Sequence, residues 1–226
     1  MKKRLLFILC ALFFVGVVSA QNSILTANAF FRKVSDNYAA ISDYEAAIKI
    51  IVGDEKMEGV VSFKRPNLLR IDFSDPKTQV ICFNGDLLTI YLPGSQAILN
   101  QSVQSGDETA SGANLATPKG LSLMSRYYSI AYETGQDPVP LEEDSDEKVV
   151  KLVLARKTAS EGFRLIRLSV NPASKLIRRV EATTTKNQKF TFDFTEYALN
   201  QKIPDTRFIY DTPSSANKYN NFLYSE

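Results

Sequence analysis

Histidine and tryptophan are absent from this 226-residue sequence, and cysteine occurs twice. Without an imidazole base, a serine triad and most zinc sites are excluded. Glycine-rich phosphate-binding motifs and Walker sequences are also absent. A hydrolase with a carboxylate pair such as Asp72 and Asp75 is the remaining enzymatic alternative, but strand-end and turn polarity explains both aspartates more simply. We therefore predict a protein that is not an enzyme and needs no metal or cofactor.

One long apolar run lies near the start of the chain. Residues 5–18 are apolar, follow three basic residues at positions 2–4, and lead into a small-x-small pattern at 18–20. The run is shorter than the roughly 20 residues that a membrane-spanning helix needs. We therefore predict that residues 1–20 are a secretory signal peptide and that residues 21–226 form a single exported domain.

The two cysteines cannot form a disulfide framework in the exported chain. Cys10 lies inside the apolar run and follows Leu9 rather than a small residue, so lipidation is not expected. Cys82 lies within a predicted strand, where a buried, inert thiol is the expectation.

Charge gives no indication of a nucleic-acid partner. The chain has 27 Lys and Arg against 25 Asp and Glu, and removing the three basic residues at positions 2–4 leaves 24 against 25, a net charge of −1. Because 44% of the residues are hydrophobic, the chain can bury a sizeable core.

Residues 59–93 contain four consecutive runs of alternating apolar and polar residues. These runs end at Lys64-Arg65-Pro66, Ser74-Asp75-Pro76, Asn84-Gly85 and Pro93. An Asn-Gly pair between such runs predicts a type I′ hairpin turn, in which both central residues have positive φ. The stretch is therefore predicted to be an antiparallel meander with one apolar face.

The same alternation recurs before and after this stretch. It is found at 43–52, 95–103, 149–156, 163–170, 176–185 and 189–199, with a further short strand at 129–133. The total is about eleven strands, with the spacing typical of β-sandwiches and barrels. The row of Phe190, Phe192 and Phe194 is interpreted as core, with a ligand cavity as the alternative.

Helical spacing occurs in two places. Residues 23–38 form an amphipathic pattern with Ser23 as a candidate N-cap, and Leu121, Leu123 and Met124 follow Thr117-Pro118, which is a helix entry signal. Residues 104–120 read as an exposed loop. The acidic run at 136–147 is interpreted as a solvated loop, and the alternative of a carboxylate metal site lacks EF-hand spacing.

The meander also carries a family resemblance. The sequence from Phe63 through Lys64-Arg65-Pro66 to Leu69, the Asn84-Gly85 hairpin and the strand from Leu88 to Pro93 resemble the LolA family of periplasmic outer-membrane lipoprotein carriers. The resemblance implies a mainly β fold with some α, an unclosed antiparallel β half-barrel with an N-terminal helix and a helical lid. It also implies a periplasmic monomer that takes acylated lipoproteins or lipid from an inner-membrane ABC transporter and passes them to an outer-membrane acceptor.

The resemblance also implies roles for particular residues. Arg65 would point into the barrel mouth and latch the lid, whereas without the resemblance it is an exposed turn arginine. The acyl-chain cavity would be lined by Val61, Phe63, Leu69, Ile71, Phe73, Leu88, Ile90, Phe190, Phe192 and Phe194. The lid would be lined by Leu121, Leu123 and Met124.

The sequence departs from the family pattern in three places. It lacks tryptophan, it contains the acidic insertion at 136–147, and its aromatic tail at 203–226 runs past the last recognisable strand. The alternative function is a non-transporting lipid-sensing or structural periplasmic domain on the same scaffold. In that case the aromatic row is filled core and the tail docks a protein.

Overall fold

A computed structural model describes residues 24–102 and 117–222. These residues form two α-helices and thirteen β-strands, with short 3₁₀ turns at Pro93–Ser95 and Asp205–Phe208. The helices are α1 (Ala27–Ala40) and α2 (Pro118–Tyr127). The strands are β1 (Asp43–Val52), β2 (Glu55–Lys64), β3 (Leu68–Asp75), β4 (Val80–Phe83), β5 (Leu87–Leu92), β6 (Ala97–Ser102), β7 (Tyr128–Tyr132), β8 (Val139–Pro140), β9 (Lys148–Arg156), β10 (Phe163–Val170), β11 (Ile177–Thr184), β12 (Lys189–Leu199) and β13 (Asn217–Asn220).

The strands form one unclosed sheet. Their order is β13-β6-β5-β4-β3-β2-β1-β12-β11-β10-β9-β7, and β8 pairs with β9. The pairings are antiparallel except for β13 with β6, which is parallel. The predicted mainly β, unclosed sheet with an N-terminal helix is confirmed, and the structure adds the short strands β8 and β13 to the predicted set.

The two helices pack on one face of this sheet, here called the inner face, where the main core lies. Helix α1 buries Phe30, Phe31, Val34 and Tyr38 there. Its apolar residues recur every three or four positions, so they share one side of the helix. The opposite face of the sheet is called the outer face.

Of the two predicted helix starts, that of α2 agrees with the structure and that of α1 does not. Thr117 caps α2 as expected, because its side chain accepts from the amide of Gly120 at 3.1 Å. The predicted start of α1 was wrong, since the helix begins at Ala27 and its cap is Thr26. The predicted cap, Ser23, lies outside the described residues.

The β4–β5 turn also differs from its prediction. Gly85 has φ of 107°, but Asn84 is not among the residues with positive φ, so the turn is not type I′. Instead the Asn84 side chain accepts from the amides of Asp86 and Leu87, at 3.1 and 2.9 Å. The Asn side chain thus substitutes for a backbone acceptor in closing the hairpin.

A glycine is needed where β2 meets β3. A Cβ at Gly59 would lie 2.3 Å from the carbonyl oxygen of Asp72 and 2.8 Å from the Cα of Phe73. These backbone atoms cannot move aside as a flexible side chain would. The register of the two strands shifts between Glu58 and Gly59, so this close approach accompanies a β-bulge.

The C-terminal tail lies on the outer face and forms a second, smaller core. Phe208 is buried there, and its carbonyl accepts from the Cys82 thiol at 3.2 Å. Arg70 donates to the carbonyls of Arg207 and Ile209, both at 3.1 Å. The tail then ends in β13, which covers the edge of β6.

The acidic insertion is a surface loop, as predicted, since Asp137, Glu142, Glu143, Asp144 and Asp146 are exposed, but it also forms ion pairs. Glu142 lies 2.8 Å from Arg179, and Glu147 lies 3.0 Å from Arg178. The two arginines are consecutive in β11, so the insertion is fastened to the sheet by ion pairs on its outer face.

Candidate functional site

The predicted cavity residues lie together on the inner face. Cross-strand pairing aligns Phe63 with Leu69 and Val61 with Ile71 on β2 and β3, and Ile50 with Phe192 on β1 and β12. Seven of the ten are buried in the main core, with exposed fractions from 1% to 8%: Val61, Phe63, Leu69, Ile71, Phe73, Phe192 and Phe194. The residues that the family resemblance implied therefore lie on one continuous apolar surface.

The other three predicted cavity residues are half-buried. Phe190 packs against the main core at the end of the aromatic row. Leu88 and Ile90 lie on β5, aligned through β4 with the inner-face residues Leu69 and Ile71. They extend the same face toward the margin of the sheet.

The residues predicted to line the lid lie on α2. Leu121 and Met124 are buried in the main core, whereas Leu123 is half-buried. Helix α2 contacts both α1 and β7, so the two helices cover the inner face together.

Arg65 lies in the turn between β2 and β3 and contacts α1. Its Nη1 donates to the carbonyl of Ala39 at 2.7 Å, and its Nη2 donates to the Ser42 hydroxyl at 3.5 Å. The Ala39 carbonyl belongs to the last turn of α1, where carbonyls lack partners within the helix and a cation is favourable. The observed partners of Arg65 are thus in the last turn of the N-terminal helix and just after it, rather than on the helix that carries Leu121, Leu123 and Met124.

A tyrosine network anchors α1 beside this end of the sheet. The hydroxyl of Tyr38 accepts from the amide of Ile177 at 3.1 Å and lies 3.1 Å from the Tyr197 hydroxyl, which donates to the Ile177 carbonyl at 2.9 Å. Burial raises the pKa of Tyr38 to about 12, so the network is neutral over the physiological range. Tyr44 packs against both Tyr197 and Phe63, with ring centroids 5.5 and 5.4 Å apart.

If side chains alternated strictly along β12, Tyr197 would lie on the outer face, because Phe192 and Phe194 lie on the inner face. The register with β1 shifts between Glu45 and Ala47, and Glu196 has φ of 55°. This bulge allows Phe194 and Tyr197 both to face inward, with their rings stacked at 6.3 Å. The positive φ at a glutamate gives no clear signal in the sequence.

A polar cleft of about 370 Å³ lies on the other side of the sheet. It is lined by Ala47, Ile48, Lys49, Glu58, Gly59, Ser74, Arg178, Asp193 and Thr195. Ion pairs join Lys49 to Glu58 at 2.8 Å and Arg178 to Asp193 at 3.3 Å. Because of these charges, the cleft is poorly suited to an acyl chain.

Residues 24–102 and 117–222 contain neither a cluster of metal-ligating side chains nor a membrane-spanning helix. No group of three or more Cys, Asp or Glu residues there is arranged to hold a metal ion. Neither helix in this part of the chain is long and apolar enough to cross a bilayer.

Comparisons with known proteins agree with the resemblance. The family model described as outer membrane lipoprotein carrier protein LolA matches residues 52–211. Outer-membrane lipoprotein carrier proteins of Pseudomonas aeruginosa and Pseudomonas paraeruginosa are 24% identical over 160 residues, which cover 70% of this chain and 69% of theirs.

Solved structures share the fold at low sequence identity. An uncharacterized conserved protein from Thermus thermophilus superposes with a TM-score of 0.54 at 14% identity, over 86% of this chain and 98% of that one. MucB superposes with a TM-score of 0.51 at 12% identity, over 82% of this chain and 62% of its own. Since the family model spans most of the sequence, the chain belongs to the LolA family.

Proposed function

We propose that the protein binds the acyl chains of lipoproteins against the inner face of its half-barrel and carries them through the periplasm, without catalysing a reaction. The observation that carries this proposal is the continuous apolar surface that extends across the sheet from β3, through β1 and β12, to β9 and is covered by two helices rather than by a second sheet. Membership of a lipoprotein-carrier family supports it.

The driving force is adequate for such a carrier. Each methylene removed from water contributes about 0.8 kcal/mol, so one chain of about sixteen carbons gains roughly 10 kcal/mol before ordering costs. A carrier must also release its cargo. Helices that pack back on the sheet as the chain leaves would favour delivery, because the closed, empty form regains their contacts.

The route follows from the same proposal. Residues 1–20 direct export, and the mature protein acts as a soluble monomer in the periplasm. It receives acylated lipoproteins from an inner-membrane lipoprotein-releasing ABC transporter and delivers them to an outer-membrane acceptor. No cofactor takes part.

A second candidate function is a non-transporting lipid-sensing or structural domain. The near-complete burial of Val61, Phe63, Leu69 and Ile71 favours it, because each packs against other protein side chains in the main core. In this function the aromatic row remains filled core and the inner face does not open.

The two functions differ in what the native protein contains. Purifying the mature protein from its own periplasm and analysing it by native mass spectrometry should reveal bound acylated lipoprotein or lipid. The recombinant protein should also take up a fluorescent fatty acid. A protein that carries no lipid from its host and takes up no fatty acid would support the structural role instead.

The carrier proposal gives Arg65 a testable role at α1. Replacing Arg65 by leucine removes hydrogen bonds that each contribute about 0.5–1.5 kcal/mol, so we expect the fold to persist while the last turn of α1 opens more often. Amide exchange of Tyr38 to Ile41 should rise by about three- to tenfold. Bound fatty acid should be released more slowly, because the closed, empty form is disfavoured.

The adjacent lysine provides a matched control for this substitution. Lys64 bonds the carbonyl of Ile203 and the carboxylate of Asp205, so Lys64→Leu should loosen the tail and leave α1 unchanged. Arg65→Lys should show smaller changes of the same kind in amide exchange and fatty-acid release, because an ammonium group lacks the planar fork of donors that a guanidinium has. If exchange in α1 and fatty-acid release are both unchanged in Arg65→Leu, Arg65 is only a surface turn residue.

A further inference from the structure

Burial of the inner face changes in one direction along β1 and β2. On β1 the exposed fraction rises from 1% at Tyr44 to 6% at Ile50, and Val52 is half-buried. On β2 burial decreases in the same direction, from Phe63 to half-buried Met57. On these strands the inner face is therefore most deeply buried at the Arg65 end and more accessible at the end formed by the β1–β2, β9–β10 and β11–β12 connections, here called the hairpin end.

Aromatic rings line the accessible end. Phe163 meets Phe190 edge-on at 6.2 Å, and Phe190 stacks on Phe192 at 6.4 Å with the rings 8° from parallel. These rings lead from the half-buried margin into the main core. Val52 and Met57, which are half-buried and packed against the same core, lie on the adjoining hairpin.

The opposite end is closed by specific bonds. The Tyr38 network ties α1 to β11 and β12, and Arg65 ties the last turn of α1 to the β2–β3 turn. A chain that entered there would have to break these bonds first.

The hairpin end also has bonds on its α2 side, where Tyr128 donates to the carbonyl of Phe163 at 2.9 Å and Lys157 donates to the carbonyl of Arg126 at 3.0 Å. Between Phe190 and the β1–β2 hairpin, by contrast, a chain would displace apolar contacts, which it could replace with its own.

We propose that the ligand is a long-chain acyl amphiphile that inserts tail first at the hairpin end, between Phe190, Phe163 and the β1–β2 hairpin. The headgroup stays among the exposed polar residues of the turns, such as Asp54, Lys186 and Asn187. This proposal depends on the acyl-chain binding proposed above and adds the end of the sheet at which the acyl chain enters. Arg65 then closes the far end of the cavity and does not guard its mouth.

The chain offers a matched pair of residues for the test. Phe190 and Phe83 are both half-buried phenylalanines packed against the main core. Phe190 lies at the hairpin end, whereas Phe83 pairs with Leu69 and Leu88 beside the β4–β5 turn, at the Arg65 end. An aspartate at either position places a charge at a margin of the same surface, so only its location differs.

The experiment measures stopped-flow association of a stearate that carries an environment-sensitive anthroyloxy group. We expect Phe190→Asp to lower the association rate constant by about tenfold or more, because a charge at the mouth penalises the passing chain. Phe83→Asp should stay within about twofold of wild type. Equal effects, or a larger effect of Phe83→Asp, would overturn the assigned mouth.

A measurement on the wild-type protein covers the case in which Phe190→Asp does not fold. Stearate with a nitroxide at its methyl end should broaden the amide signals of Tyr44 and Phe63, whereas a nitroxide beside the carboxylate should broaden those of Lys186 and Asn187. The reverse order would overturn the direction of insertion while leaving acyl binding intact. A wild-type protein that binds neither stearate would reject the proposed function, and the mouth with it.

Discussion

Replacing Val61 by glutamate is expected to unfold the protein or to destabilise it by several kcal/mol. Val61 is 2% exposed on the inner face, so a carboxylate there is buried without a partner. Such a cost is comparable with the whole free energy of unfolding of an ordinary domain, about 5–15 kcal/mol. Urea denaturation monitored by circular dichroism measures the change.

Val60, which precedes Val61 in the chain, is the control position for this prediction. Val60 is 42% exposed on the same strand and lies on the outer face opposite Ala47 and Asp72. Val60→Glu should cost no more than about 1 kcal/mol, mainly from the like charge of Asp72. Similar losses in the two variants would show that the burial pattern of β2 is wrong and would remove Val61 from the cavity wall.

Replacing Phe208 by alanine is expected to release the tail from the outer face. Phe208 is 1% exposed, and truncating a buried phenylalanine costs about 3–5 kcal/mol. The thiol of Cys82 lies beneath it, donating to its carbonyl, and burial raises the pKa of that thiol. The wild-type protein should therefore resist thiol reagents. Cys82 in Phe208→Ala should react at least about 100-fold faster, because a loss of about 2.7 kcal/mol in the free energy that holds the tail in place makes its opening about 100 times more frequent.

Ile209 is the matched position for this second experiment. It follows Phe208 directly and is 61% exposed, so Ile209→Ala should leave the labelling rate of Cys82 within about twofold of wild type. Rapid labelling of the wild-type protein, or equal rates in the two variants, would show that the tail does not shield Cys82.

The sequence predicted the meander well because its turns are marked by local chemistry. Proline, glycine and asparagine end each run from β2 to β5, and the period of two determines which residues share a face. The cavity residues of β2 and β3 could therefore be assigned to one face without knowledge of any long-range contact, whereas joining Phe190, Phe192 and Phe194 to that face depended on the family resemblance. The conformation of the Asn84 turn was missed because an asparagine side chain can accept backbone hydrogen bonds itself.

Features that depend on distant parts of the chain could not be predicted in the same way. The partner of Arg65 is a helix carbonyl, which any residue type can supply. Tyr197 faces inward only because of a bulge at Glu196. The tail has no period of its own, since its position depends on Arg70, Cys82 and the edge of β6.

The position of β1 between β2 and β12 has a consequence for how the protein folds. Pairing of β1 with β2 joins neighbours in the chain, and β9 to β12 also pair with their neighbours, so two meanders can form from local contacts. Their junction is different, since Asp43 accepts from the amide of Gln201, 158 positions away. Because closing such a long loop is slow, we expect the β1–β12 seam to form last, after nearly the whole chain has become available. Until then β1 and β12 are unpaired edge strands of their meanders, and misassembly with another chain would begin at these edges.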